Sequence, residues 1–330
     1  MKPCALSLRC RPWRGRDGFK STERGGARVA QKLSLQQWIA QAEEKNLTFA
    51  MFCLQRQAAD LETTEAAILA RMEALLPVMR DSIQAGLQGH RSVGGLVGGD
   101  AAKMAAYGAE CPGNSVVGPV LADAVTMALA VGEANASMGR IVAAPTAGSS
   151  GVLPAVLFAL GKSRRLSNKQ LAEGLLVAGA IGMVIASRAT LSGAAGGCQA
   201  ECGAAAAMAA GAAVDLCGGK PAQVGDAVAM ALKNMLGLVC DPVAGLVEVP
   251  CVKRNAGAAA QALVAAEMAL AGVTSVIPVD EVIDAMGSIG AALPAALRET
   301  ARGGLADTPT GREWAKRLFA GKGEGNSTET

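Results

Sequence analysis

Ser167-Asn168-Lys169-Gln170-Leu171-Ala172-Glu173-Gly174-Leu175-Leu176-Val177-Ala178-Gly179-Ala180-Ile181-Gly182-Met183-Val184-Ile185-Ala186-Ser187-Arg188 is the stretch on which the fold class turns. It opens with Ser167 and Gln170 at capping-box spacing, which marks the start of a helix. From Gly174 to Ser187 the run carries no charge and is made largely of Gly, Ala, Val, Leu, Ile and Met. A bilayer-spanning helix needs about 20 predominantly apolar residues. The charge-free run between Glu173 and Arg188 falls short of that, so it reads as a helix buried in protein.

The whole chain shares this chemistry. Of its 330 residues 51% are hydrophobic but only 3% are aromatic. Sheets lean on β-branched and aromatic side chains. Small side chains instead let helices approach closely. The expectation is an all-α protein with small-residue helix packing. Mean hydropathy is +0.30, yet the longest charge-free run, Ile141–Gly161, contains Pro145, Thr146, Ser149, Ser150 and Pro154. No membrane span is expected.

The net charge of +3 is unevenly spread. Residues 1–31 hold eight Lys/Arg and two Asp/Glu, which leaves 23 basic and 26 acidic residues in the remainder. That near-neutral body offers no broad basic footprint for nucleic acid. Residues 1–31 show neither helix nor strand period and no secretory apolar core, and read as a disordered basic extension. The ordered domain is expected over 32–320, with a disordered tail over 321–330. Nine cysteines without a CxxC pair point to metal binding, redox chemistry or apolar packing rather than to disulfides or a zinc ribbon.

Along the domain, Ser34 to Gln37 reads as a second capping box, followed by Leu35, Trp38, Ile39 and Ala42 at helical spacing. A helix over Thr48–Leu61 follows. One long helix from Thr64 carries the stripe Ile68, Leu75, Leu76, Met79 and Ile83. The glycine-rich segment Gly86–Asp100, which contains His90, reads as a loop, because each interior helical Gly costs about 1 kcal/mol. A second loop surrounds Cys111. Pro221 sits near one helix start and Asp280 is placed to cap another at Glu281.

Three segments interrupt the helical background. Asn135–Arg140 and Pro145-Thr146-Ala147-Gly148-Ser149-Ser150-Gly151 precede an apolar helix. Small residues with free N–H groups at a helix start suit a carboxylate or phosphate. A plain turn with a serine cap explains the same residues. Ser192–Cys202 sets Gly196-Gly197 before Cys198, with Cys202 four residues on. These cysteines read either as exposed thiolates or as small buried hydrophobes. In Leu238–Asn255, Cys240 and Cys251 bracket a loop. Thiolates beside turns hold iron–sulfur clusters, though the spacing is generic.

Longer strings carry a specific resemblance. GGLVGGDAAKM (94–104), NASMGRIVAAPTAGSSG (135–151), SGAAGGCQAE (192–201), LKNMLGLVCDPVAGLVEVPCVKRNA (232–256) and the run over 275–311 resemble the alpha chain of iron–sulfur L-serine dehydratases. The likeness runs from about residue 33 to 320. It implies a helical fold and a [4Fe–4S] cluster on Cys198, Cys240 and Cys251, with one iron left open for substrate. It implies a lyase that converts L-serine to pyruvate and ammonia, in cytoplasmic amino-acid degradation and gluconeogenesis. It also implies a separate beta chain, because the GPSSSHT-type motif of the complete enzyme is absent here. Where the family often has Cys, this chain has Ser150, so no metal role is given to that position.

Within that frame Asn135, Thr146, Gly148, Ser149 and Ser150 are the expected substrate-binding residues. The base is unassigned, with a histidine of the beta chain first and His90 second. L-cysteine desulfidation and threonine deamination remain open, since the same elimination serves them. A pyridoxal-phosphate dehydratase would need a Schiff-base lysine, and Lys103, Lys233 and Lys253 lie in no recognisable cofactor motif. A non-enzymatic helical membrane or scaffold protein is the remaining reading.

Overall fold

Every regular element among the described residues is helical. The computed structural model describes residues 32–320 except Cys111, Pro112 and Asn114. The readings for 1–31, for the centre of the Cys111 loop and for 321–330 lie outside the described residues. Four helices open the fold: α1 (Leu35–Glu44), α2 (Phe49–Asp60), α3 (Glu65–Glu73) and α4 (Leu76–Leu87). The glycine-rich loop leads to α5 (Asp100–Glu110) and α6 (Gly118–Ala136). After an irregular segment come α7 (Val152–Arg164) and α8 (Asn168–Arg188). The single turn α9 (Gly193–Gly196) is followed by π-helical Gln199–Gly203, which runs into α10 (Ala204–Leu216). The chain closes with α11 (Pro221–Lys233), α12 (Cys251–Leu270), α13 (Val279–Ala292) and α14 (Pro309–Phe319).

The core is organised around α10, whose residues 204–214 are all buried. Its sequence, Ala-Ala-Ala-Ala-Met-Ala-Ala-Gly-Ala-Ala-Val-Asp-Leu, offers almost no side-chain bulk, so α7, α8, α11 and α12 pack on it from different sides. This is why so apolar a chain has so few aromatics. α8 is long and apolar enough, by length and composition, to cross a membrane, which corrects the expectation drawn from its charge-free run alone. However, 67% of its apolar stretch is buried inside the fold.

Local signals fare unevenly. Ser167 and Gln170 form the reciprocal capping box on α8, and Thr48 and Thr64 cap α2 and α3. Ser34 Oγ accepts from Gln37 N–H at 3.0 Å, but the box is not completed by Gln37. Instead Asp280 accepts from Leu35 N–H at 2.9 Å and from Ser34 Oγ at 2.6 Å. Asp280 therefore caps α1, and not its own helix α13 as expected. The single helix expected from Thr64 is two helices. Pro77 lies in the first turn of α4, where its missing N–H does no harm, whereas in a continuous helix it would break a bond to residue 73. Gly86 belongs to α4 rather than to the loop, because α4 crosses α6 so closely there that a Cβ would collide with the Ala130 carbonyl.

Candidate functional site

The irregular segments 144–151, 192–203 and 238–251 meet because two buried amide side chains, Asn255 and Gln199, tie them together. Asn255, one turn into α12, donates to the carbonyls of Gly148 at 2.7 Å and Cys251 at 2.9 Å. Its Oδ1 accepts from Gly151 N–H at 2.9 Å. One amide thus fixes the Pro145–Gly151 loop to the helix start that carries Cys251. Gln199, 1% exposed, does the same for the other cysteines. Its amide donates to Gly196 and Met286 carbonyls and accepts from Gly237 N–H at 2.9 Å. The turn bearing Cys198 is thereby set against the segment that ends at Cys240.

Cys240 is clamped from the C-terminal side. Its N–H donates to Leu297 O at 2.9 Å, and its carbonyl accepts from Glu299 N–H at 2.7 Å. Asp241, 3% exposed, pairs with Arg254 at 2.8 Å and accepts from Leu305 N–H at 2.8 Å. Arg254 in turn donates to Val239 O at 2.8 Å. Residues 293–308 act as a strap across the Cys240 segment.

The glycine-rich loop is held by carboxylates at both ends. Glu248, buried in the loop between Cys240 and Cys251, accepts from Ser92 Oγ at 2.5 Å, Gly94 N–H at 2.7 Å and Leu96 N–H at 3.1 Å. Glu133, buried in α6, accepts from Gly99 and Asp100 N–H at 3.0 and 2.7 Å and so caps α5. His90 lies on the exposed part of this loop, with Nε2 3.0 Å from Gln88 Oε1.

Cys198, Cys202 and Cys240 are buried and Cys251 is partly so, and none is in a disulfide. Their ionisation is mutually dependent. The neighbouring Cys202 thiol, and after it Arg254, lower the Cys198 pKa against the opposing effect of burial. Burial, with Cys198 and Glu201 nearby, raises Cys240. Cys251 is pushed up to about 12 by burial and by the same two neighbours. Among the described residues no three His, Cys, Asp or Glu side chains are close enough to chelate one metal ion. Cys198, Cys240 and Cys251 border a common space, within electrostatic reach of one another.

Glu201, which spacing alone did not single out, reaches into that space. Its Oε1 accepts from Thr146 Oγ1 at 2.8 Å, and Thr146 Oγ1 lies 3.1 Å from Ser149 Oγ. A Cβ on Gly193 would meet both Glu201 Oε2, at 2.6 Å, and Cys240 Sγ, at 3.1 Å. Burial raises the Glu201 pKa, with the Thr146 bond acting against it. Of the expected substrate residues, Thr146, Gly148 and Ser149 therefore flank this space. Ser150 Oγ is turned inward onto Ala147 O at 2.8 Å, and Asn135 braces the loop by donating to that same carbonyl at 3.2 Å. The N–H groups of Ala147, Gly148 and Ser149 donate to no acceptor among the described residues.

Comparison with known proteins bears on this site. Residues 32–306 match the family model described as serine dehydratase alpha chain. The chain belongs to the serine dehydratase alpha chain family. It is 52% identical over 288 residues to a "Probable L-serine dehydratase, alpha chain" of Bacillus subtilis, covering 87% of this chain and 95% of that one. It is 43% identical over 282 residues to the "L-serine dehydratase, alpha chain" of Peptoniphilus asaccharolyticus, covering 85% and 96%. With the "L-serine dehydratase 2" of Escherichia coli it shares 49% over 181 residues, 54% of this chain but only 40% of that one.

Membership in the serine dehydratase alpha chain family makes this an enzyme chain of the lyase class, and it gives the buried polar groups a context. Glu201, Gln199, Asn255 and Arg254 all lie inside or beside the strings that carry the resemblance. Glu133 sits in the mostly apolar α6, on the opposite half from its other acid, Asp123. An acid in such a run was the signal available for it, and the glycine-rich loop it caps was the other half.

Proposed function

We propose that this chain carries the cluster-binding half of an L-serine dehydratase, removing water from L-serine to give pyruvate and ammonia. The observation that supports this most is the convergence of Cys198, Cys240 and Cys251 beside the Thr146–Ser149 loop in a chain of this family. The donor chemistry suits an iron–sulfur cluster: Cys198, Cys240 and Cys251 carry uncrosslinked thiols, two buried and one partly buried, that lie within electrostatic reach of one another. A cuboidal cluster spreads its ligands over separate irons, so the thiolates need not meet at one point. Cys198, Cys240 and Cys251 would hold it, and when bound it would supply a Lewis-acidic iron for the departing hydroxide.

The remaining steps fall to this chain and its partner. The N–H groups of Ala147, Gly148 and Ser149, which donate to no acceptor among the described residues, remain for the substrate carboxylate. Thr146 and Ser149 place hydroxyls beside it. Asn255 holds the loop against α12, so carboxylate and thiols keep a constant separation. Loss of the α-proton and the β-hydroxyl leaves aminoacrylate, which tautomerises to the imine and hydrolyses. The base that takes the α-proton is assigned to a separate beta chain. Two facts support that partner: close relatives are named as alpha chains, and this chain spans 40% of a relative not so named.

Anaerobic reconstitution with iron and sulfide tests the reading. About four iron and four sulfide per chain are expected, and pyruvate formation from L-serine once the beta chain is supplied. A chain that binds no iron even when co-expressed with its partner would overturn it.

A further inference from the structure

We propose that Glu201 is the receptor for the substrate's α-ammonium group and so selects amino acids over hydroxy acids. This rests on the reading of the site as an L-serine dehydratase centre. Glu201 is a largely buried carboxylate with no cation paired to it among the described residues. Its one hydrogen-bond donor, the Thr146 hydroxyl, satisfies Oε1. Oε2 borders the open face of Gly193, where Cys240 Sγ is the other neighbour. Gly148 lies on the loop side, where even a Cβ would stand 3.4 Å from Oε1. Two glycines thus leave the carboxylate uncovered between the cysteines and the donor loop.

The chemistry of the surroundings is what an amino-acid zwitterion requires. The N–H groups of Ala147, Gly148 and Ser149 suit its carboxylate, and Glu201, with the Glu299 carboxylate within electrostatic reach and no cation paired to it among the described residues, suits its ammonium. A buried charge without a counter-charge is costly, and a bound cation offsets that cost. Arg254, the nearest arginine to the thiols, is already committed to Asp241, Val239 and Cys198. It is not available to Glu201.

The test uses the iron-loaded enzyme assembled with its beta chain, and two probes: L-serine, and 3-hydroxypropionate, which keeps the carboxylate and hydroxyl but lacks the amine. Glu201→Gln is expected to raise the KM for L-serine about 10–100-fold, the range of a charge-assisted bond. Competitive inhibition by 3-hydroxypropionate should stay within about twofold of wild type, on the same scale, with iron content and visible absorption unchanged. Equal weakening of both probes overturns the proposal. So does a fall in kcat with the selectivity between them intact.

If Glu201→Gln fails to fold or to load iron, Glu201→Asp decides. It keeps the charge and every thiol but draws the carboxylate back by one methylene, and a smaller loss confined to L-serine is expected. Loss shared by both probes overturns the assignment again. Failure of the wild-type enzyme to form pyruvate from L-serine would instead refute the underlying function, a result that separates the two.

Discussion

A cysteine-to-serine exchange at Cys198, Cys240 or Cys251 keeps the side-chain shape but replaces a soft donor by a hard one. Each such variant is expected to lose most of its iron and its activity, read as iron per chain. Cys53→Ala is the matched control: Cys53 is buried among α2 side chains, its thiol raised by burial, and its removal should leave iron content unchanged. Glu248 carries a different load. Replacing it with Ala strands the N–H groups of Gly94 and Leu96 and the Ser92 hydroxyl. A loss of about 2–4 kcal/mol in denaturant unfolding is expected, with faster amide exchange at 92–97.

The residue scale is also where the sequence was least legible. Cys198, Cys240 and Cys251 stood out because they flank turns in strings shared with a known family. Glu201, Gln199 and Asn255 did not, because a polar residue near a glycine pair or a helix start looks the same whether it points to solvent or inward. Only the backbone path, which brings residues 148, 196, 237 and 251 to the same amides, gives them roles. The serine of the PTAGSSG loop expected to face substrate at position 150 turns inward, its hydroxyl joining Asn135 and its own N–H on the carbonyl three residues back.

Helix starts were readable wherever a side-chain oxygen does the capping, as at Thr48, Thr64 and Ser167. At α1 the start was read correctly from Ser34, but its partner was not, because the distant carboxylate of Asp280 takes the place expected of Gln37. The close crossing of α4 on α6 yields a prediction in which two effects oppose each other. Gly86→Ala gains about 1 kcal/mol in helix propensity. The new methyl meets backbone that cannot yield, and overpacking typically costs about 1–3 kcal/mol or more. The clash wins, so thermal unfolding should move down. Gly211→Ala, in α10, meets the mobile end of Ile181 first and should cost less.

Asp215, at the end of α10, accepts from Ala50 N–H at 3.0 Å and so joins α10 to the start of α2. Burial raises its pKa to about 6. The folded state therefore holds this proton where the unfolded chain has released it. The contribution is full below the ordinary carboxylate range and is lost as pH rises through about 6. Asp215→Asn removes the titration and keeps an acceptor. Its stability relative to wild type should rise between pH 4 and pH 7, by on the order of 1–2 kcal/mol. A pH-independent difference would show that the carboxylate is better solvated than its position implies.

At the scale of the molecule, the all-α class followed from small apolar residues and capping signals, and the structure bears this out. The order in which helices surround α10 was not readable, since an alanine surface accepts neighbours on every side. Iron should act on the whole fold. Ligands that bind only the native state stabilise it by mass action, so chelation of the reconstituted chain is expected to lower its melting temperature.

The strap formed by residues 293–308 has a further consequence, in the time domain of protein synthesis. Cys198, Cys240 and Cys251 emerge from the ribosome before Leu297, Glu299 and Leu305, the residues that fasten Cys240 and Asp241. At roughly 5–20 residues per second, the stretch from Cys251 to Leu305 takes about 3–10 s to make. During that interval all three thiols exist on a nascent chain whose closing segment has not been translated. Under the cluster reading, iron and sulfide reach the three thiols most freely in this window, and more slowly once the strap is fastened.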